Sequence, residues 1–271
     1  MRAPPDLAAA RPRYREYAPS PDLAQQVRCF WRITADEAPF TPNRICPDGC
    51  ADIILPGDGT VRAIGTMRTA AVVALSGRVD RLGVRFQPGE ALAFFDVPLA
   101  ELTDTTAGVE ELGWHAARNL GDQLAGTQSI TGKIALIEKA LRARRAGLYR
   151  RAAPRWLRAA VRLLEGGCSG PGLQRVRDEV GASERTHERR FREMVGLSPK
   201  TFQRVARFRR ALERMQRRSR ASYAAVAADA GYADQAHLIR EFKSLAGITP
   251  AAYAREWDAV GFVQYRSPTH A

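Results

Sequence analysis

A repeat constrains this chain more than any other feature. Residues around 180–202 match residues around 231–253 at a constant offset of 51, pairing Arg189 with Arg240, Phe191 with Phe242, Gly196 with Gly247, Pro199 with Pro250 and Phe202 with Tyr253. Upstream, Gly181 matches Gly231 at an offset of 50, so the second copy carries one extra residue in its turn. Two copies are too few for a solenoid. They read as one supersecondary unit used twice.

Each copy has the pattern of a short helix, a glycine turn and a longer helix. In the first, a helix over Arg175–Val180 stops at Gly181, Ser183 is placed to cap the next helix, and Glu184 sits near its positive end. That second helix divides into two faces: His187, Phe191 and Met194 on one, Arg185, Glu188, Arg189 and Arg192 on the other. In the second copy, Tyr223–Ala230 forms the first helix, Gly231-Tyr232-Ala233 the turn and Asp234–Leu245 the longer helix. Leu238, Phe242 and Leu245 face inward there, which leaves Gln235, Ala236, Ile239, Arg240 and Lys243 outside. Gln can read adenine, Arg guanine, and Ala or Ile a thymine methyl. Between the copies, Val205, Phe208, Leu212 and Met215 recur at three- and four-residue steps along one long helix.

Charge agrees with this reading. The formal net charge is +13, and Arg150 to Asp258 holds 23 basic and 12 acidic residues, net +11. The rest of the chain is close to neutral, so the attraction for a polyanion belongs to the repeat-bearing part. Most of the basic residues are Arg, whose planar fork suits phosphate and guanine edges, although a GC-rich genome enriches Arg as well. Arg204, Arg207, Arg209, Arg210, Arg214, Arg217 and Arg218 read as phosphate contacts or as solubility.

Residues 155–257 resemble the double helix-turn-helix DNA-binding domain of the AraC/XylS family. The most specific stretch runs from Ala230 to Pro250, Ala-Gly-Tyr-Ala-Asp-Gln-Ala-His-Leu-Ile-Arg-Glu-Phe-Lys-Ser-Leu-Ala-Gly-Ile-Thr-Pro, and Ser183 to Pro199 follows the same plan. The resemblance implies base contacts from Arg185, Glu188 and Arg189 in the first recognition helix and from Gln235, Ala236, Ile239 and Arg240 in the second. His187 departs from the family, which usually has an apolar residue there; it implies looser packing or a buried hydrogen bond.

From Tyr14 to about Leu102 the pattern changes. Short apolar runs at Val27–Ile33, Ala51–Leu55, Val72–Leu75 and Leu82–Phe86 are separated by turn chemistry, including Pro-Asp-Gly at 47–49 and Pro-Gly-Asp-Gly at 56–59. This is a mostly β domain. Helices return over Val109–Tyr149, with Ile130, Ile134, Ile137 and Leu141 on one face, and a further helix over Arg155–Glu165 closes at Gly166-Gly167. Cys46-Pro-Asp-Gly-Cys-Ala-Asp and Leu82-Gly-Val-Arg-Phe-Gln-Pro-Gly-Glu also resemble an N-terminal domain found in a subset of AraC/XylS regulators. Arg44, Asp48, Asp52 and Arg85 are polar residues beside expected strands; they suit surface or structural roles, or the lining of a ligand pocket.

Other chemistries find less support. Cys46 and Cys50 are spaced like half of a zinc clamp, but no second pair follows, and Cys46 reads as a strand residue beside a turn. The four His, at 115, 187, 237 and 270, form no metal-binding cluster, and there is neither a phosphate-binding glycine loop nor a nucleophile elbow. No catalytic residue, metal or cofactor is expected. No stretch approaches the roughly 18 apolar residues of a membrane span, and Met1–Ala10 lacks a basic region followed by an apolar run, so a cytoplasmic location is expected.

The expectation is an α+β multidomain protein: a β-rich sensor or assembly domain with C-terminal helices at 1–149, a seven-helix double helix-turn-helix domain at 150–258, and a tail at 259–271. It is a transcription regulator whose partners are double-stranded DNA, a small-molecule effector, RNA polymerase and a second copy of itself. The alternatives left open are a thiol- or metal-dependent DNA-repair regulator and a non-specific nucleic-acid binder.

Overall fold

A computed structural model describes residues 12–147, 153–167, 174–176, 178, 181, 183–217 and 222–260. Six strands form one antiparallel sheet: β1 (Arg13–Tyr17), β2 (Val27–Ile45), β3 (Asp52–Leu55), β4 (Arg62–Ile64), β5 (Ala71–Phe86) and β6 (Thr106–Gly108), in the order β1-β2-β5-β3-β4-β6. The apolar runs at 72–75 and 82–86, expected as separate strands, are parts of the single strand β5. The more polar stretch between them continues the pairing with β2, through register shifts between Ala35, Ala38 and Thr41. Such shifts bend and twist a long hairpin, which flat pairing would not do.

Alternation sorts the two sheet faces. Phe30, Ile53, Val84 and Phe86 point into a core shared with Phe94, Phe95, Trp114 and the helices α1 (Leu120–Ala125) and α2 (Ile130–Gly147). Ile137 and Leu141 of α2 are buried there, as the spacing of that helix requires. The opposite face carries Cys29, Trp31, Ile33, Leu75 and Val79, with Tyr14 and Ile54 packed beside them.

The second part is helical: α3 (Arg155–Glu165), α4 (Glu184–Val195), α5 (Pro199–Arg217), α6 (Tyr223–Ala230), α7 (Gln235–Ala246) and α8 (Pro250–Val260). Of the helix expected over 175–180, residues 174–176 and 178 are helical and the others lie outside the described residues. α8 runs to Val260, beyond the 258 expected for the domain; the rest of the expected tail and Cys168 also lie outside the described residues.

The long helix α5 is the shared core of both helix-turn-helix units. Phe202 meets Phe191 of α4 edge-on at 5.8 Å, and Phe208 meets Phe242 of α7 at 4.9 Å. Tyr253 of α8 then closes on Phe242 at 5.5 Å. Truncating any buried Phe here removes contacts worth about 3–5 kcal/mol. Among the described residues no helix is long and apolar enough to cross a membrane.

Candidate nucleic-acid interface

Both long helices of the repeat are capped as their sequences require. Ser183 Oγ accepts the Thr186 backbone N–H at the start of α4, and Asp234 Oδ1 accepts that of His237 at the start of α7, 2.6 Å away. Gly231, with φ 86°, makes the left-handed turn that ends α6 and aims α7; a side chain there costs about 1 kcal/mol.

Burial then splits each helix. On α4, His187, Phe191 and Val195 are buried and Met194 is half-buried, while Arg185, Glu188, Arg189 and Arg192 are exposed. His187 is not loosely packed: its ring lies 4.8 Å from that of Trp156, and it is buried as fully as its apolar neighbours. On α7, Leu238, Phe242 and Leu245 are buried; Gln235, Ala236, Arg240 and Lys243 are exposed and Ile239 is half-buried. The side chain of Arg189 is 69% exposed and only loosely paired, at 4.0 Å, with Glu193. Each helix therefore presents an outer face of mixed polar character over an apolar root.

Glu241 was missed by the sequence reading. It lies on the inner side of α7 and is buried, bonded to Arg204 at 2.9 Å and to Arg207 at 2.8 Å, while the Arg207 guanidinium sits 4.8 Å from the centre of the Tyr232 ring. Burial alone would raise its pKa, but hydrogen bonds from Arg207 and Arg204 outweigh it and hold the carboxyl below the usual range. Arg210 donates to the carbonyls of Glu165 and Ala230, Arg209 pairs with Glu165 and Glu213, and Arg214 pairs with Asp229. These arginines of α5, expected to serve phosphates or solubility, also tie α5 to α3, α6 and α7. An alternating Arg pattern shows the charges but not the carboxylates and carbonyls folded onto them.

The β domain holds the far ends of both exposed helices. Thr103 Oγ1 donates to the carbonyl of Gly196, the glycine that ends α4, at 2.7 Å. At the equivalent end of α7, the Ala70 N–H donates to Leu245 O at 2.7 Å and Arg44 Nη1 to Ala246 O at 2.9 Å. Arg44 also forms a two-point pair with Glu256 of α8, at 2.9 and 3.0 Å. A guanidinium at a helix C-terminus satisfies carbonyls that the helix leaves open and matches its dipole. Arg28 reaches Glu165 at 2.8 Å, Gly49 lies against the Phe202 ring, and Thr66 lies against Gly196. Cys46, just past the end of β2, is buried within the core of the helical part.

Between this contact zone and the sheet lies a cavity of about 430 Å³, within the range of about 300–1,000 Å³ usual for small-ligand sites. Trp31, Ile33, Ile54 and Tyr14 form its sheet wall. Gly65, Met67, Thr69 and Ala71 line it together with the Ala70 that bonds α7. Of the four polar residues marked in the sequence, Asp48 and Asp52 line it, Arg85 is buried behind them, and Arg44 turns away to the helices. The register explains two of these: Asp52 pairs directly with Arg85 across β3 and β5, and Arg85 with Cys29 across β5 and β2. Arg85 Nε stands 3.1 Å from Asp48 Oδ2, its Nη2 3.3 Å from Asp52 Oδ2, and its Nη1 3.8 Å from Glu16 Oε1. Burial pushes Asp52 up to about 6, against the opposing pull of Arg85, and raises Glu16 as well.

Burial also pushes the Cys46 thiol up to about 12 and Cys50 well above its usual value. Arg28 donates to Cys50 Sγ at 3.4 Å without offsetting that. Thiols held protonated are poor nucleophiles. Among the described residues no three His, Cys, Asp or Glu side chains gather as a metal site.

Comparison with known proteins agrees with this division. Residues 15–108 match the family model for a domain of unknown function, DUF6597, and residues 177–256 match that of a helix-turn-helix domain. No curated protein matches the sequence. Among solved structures, the chain is similar to ToxT from Vibrio cholerae, at 8% identity over 91% of this chain and 98% of that one with a TM-score of 0.46. It is also similar to the unsaturated-fatty-acid-bound wild-type ToxT of V. cholerae strain SCE256, at 11% identity over 98% and 100%, TM-score 0.41. Likeness at this level says nothing of what this chain binds. The chain thus carries a helix-turn-helix domain over residues 177–256 behind a DUF6597 domain over residues 15–108, and in this it resembles the DNA-binding regulators of the AraC/XylS family.

Proposed function

We propose that the protein is a sequence-specific transcription regulator in which α4 and α7 enter successive major-groove segments roughly one helical turn apart. Arg189 and Arg240 read guanine edges; Arg185, Glu188, Gln235, Ala236 and Ile239 complete the two readings. The observation that carries this is the pair of equivalent helices, each with a buried apolar root and an exposed outer face of different composition. Because the faces differ, the preferred site is asymmetric. A non-specific binder needs charge alone and has no use for two unlike faces on one rigid frame.

The β domain acts as the sensor. Its cavity shares a rim with the segment that holds the C-terminal ends of both recognition helices, so occupancy of the cavity changes how those helices are held and thereby the affinity for operator. Selection of bound sites from random duplexes tests the DNA reading. Wild type is expected to return an asymmetric motif, with Arg189→Ala relaxing one half and Arg240→Ala the other, each at a cost of about 1–3 kcal/mol. The absence of any motif, or relaxation of the same half by both variants, overturns the assignment.

A further inference from the structure

The chemistry of the cavity lining specifies a ligand class. Its lining includes Asp48, Asp52 and Asp104 and no Lys or Arg. Two of these, Asp48 and Asp52, and Glu16 behind them pair with the guanidinium of Arg85. The other nearby cations have carboxylate partners of their own: Arg28 pairs with Glu165, although its charge also reaches Glu16 and Asp48, Arg44 pairs with Glu256, and Arg68 pairs with the lining Asp104. Excess negative charge held away from water is costly, and a cation beside it removes that cost.

Asp48 is the carboxylate best placed to receive one. It is nine-tenths buried, and its Oδ1 accepts the Cys50 N–H at 2.9 Å. Its Oδ2, itself buried, lies beside Arg85 as an ion pair but accepts no hydrogen bond from the described residues, so a cation at this carboxylate displaces Arg85 in part. Asp52, by contrast, is already engaged by the Trp31 indole N–H at 2.9 Å and by Arg85. Beside these acids stand Trp31 and Tyr14, stacked 6.4 Å apart. Aromatic faces attract cations through their ring quadrupoles, and most strongly where water is excluded.

We propose that this cavity binds a small organic cation, an ammonium or amidinium group on an apolar body, with the charge at Asp48 and the body against Trp31, Tyr14 and the isoleucines of the sheet wall. The assignment rests on the sensor reading given above and names the ligand class of that site. An organic anion meets three carboxylates and no cationic side chain in the described lining, and a neutral ligand leaves the charge imbalance as it stands.

The test uses the full chain and three matched probes, 2-phenylethylamine, 2-phenylethanol and 3-phenylpropionate, followed by titration calorimetry. The amine is expected to bind with one-to-one stoichiometry and at least about tenfold more tightly than the alcohol, as a charge-assisted hydrogen bond implies. The carboxylate is expected not to bind. Asp48→Asn should lose about tenfold or more of the amine affinity. Met67→Trp, which fills the cavity from its lining and leaves Asp48 and Asp52 in place, should also abolish amine binding and guards against a folding defect in the first variant. Equal binding of amine and alcohol, binding of the carboxylate, unchanged amine affinity in Asp48→Asn, or no amine binding at all overturns the proposal. Gel-shift assays on the selected operator keep the two readings separate: retained DNA binding without amine binding removes only the ligand class, whereas lost DNA binding removes the regulator reading.

Discussion

Glu241 and Asp52 are both buried carboxylates beside arginines, yet their surroundings drive them in opposite directions. Glu241 has two arginines to itself, so the charged form prevails. Removing it strands Arg204 and Arg207, but both are partly exposed and can recover water. Glu241→Ala is therefore expected to cost about 1–3 kcal/mol, less than a fully buried pair, read as a shift of the urea midpoint. Asp52 shares one arginine with Asp48 and Glu16, and burial dominates. Its folded pKa, about 6, lies above the value of about 3.9 expected when unfolded. Between those values the native state keeps a proton that the unfolded state has released. Stability is thus expected to fall as pH rises from about 4 to about 6 and then to level off, and Asp52→Asn should flatten that slope in denaturant titrations across pH. A slope unchanged by the substitution places the proton elsewhere in the cluster.

At the scale of elements, Gly49 shows how closely the two parts meet. It has φ 78°, and a Cβ there would stand 2.5 Å from Cε2 of Phe202 on α5. Gly49→Ala is expected to destabilise the protein by about 2–4 kcal/mol, combining backbone strain and overpacking. Phe202→Leu should recover part of that loss in a double-mutant cycle, and strictly additive effects count against the contact. The same elements show what a sequence reveals. The helices of the repeat, their caps and their inner faces were legible because period, Ser183, Asp234 and the glycines are local signals. The sheet was legible as runs of apolar residues, but the joining of 72–75 to 82–86 was not, because pairing with β2 overrides the polar stretch between them. Asp48, Asp52 and Arg85 could be marked as polar residues near strands; that Asp52 lines a cavity with Arg85 paired behind it depends on register, which their spacing does not encode. Nothing local marks Thr103 or Ala70, since their partners lie far along the chain.

For the whole molecule, the decisive relation is that between the β domain and the C-terminal ends of α4 and α7. Arg44→Ala removes three hydrogen bonds at that junction, one to Ala246 O and two to Glu256. Amide exchange in the last turn of α7 and the first turns of α8 is expected to rise by about tenfold while the strands and α2 stay protected. Uniformly faster exchange across the chain would mean that the contact supports global stability rather than this junction.

The strip from Thr66 to Ala70 touches the end of α4 at one extremity and the end of α7 at the other. On the function proposed above, this short piece of backbone is a gauge block between two reading heads. Movement of the strip would then change the gap measured along the duplex before it changed any base contact. The natural readout of its state is therefore the number of base pairs between half-sites: operators with one pair inserted or removed would be ranked differently by the two states of the protein, even when every contacted base is the same.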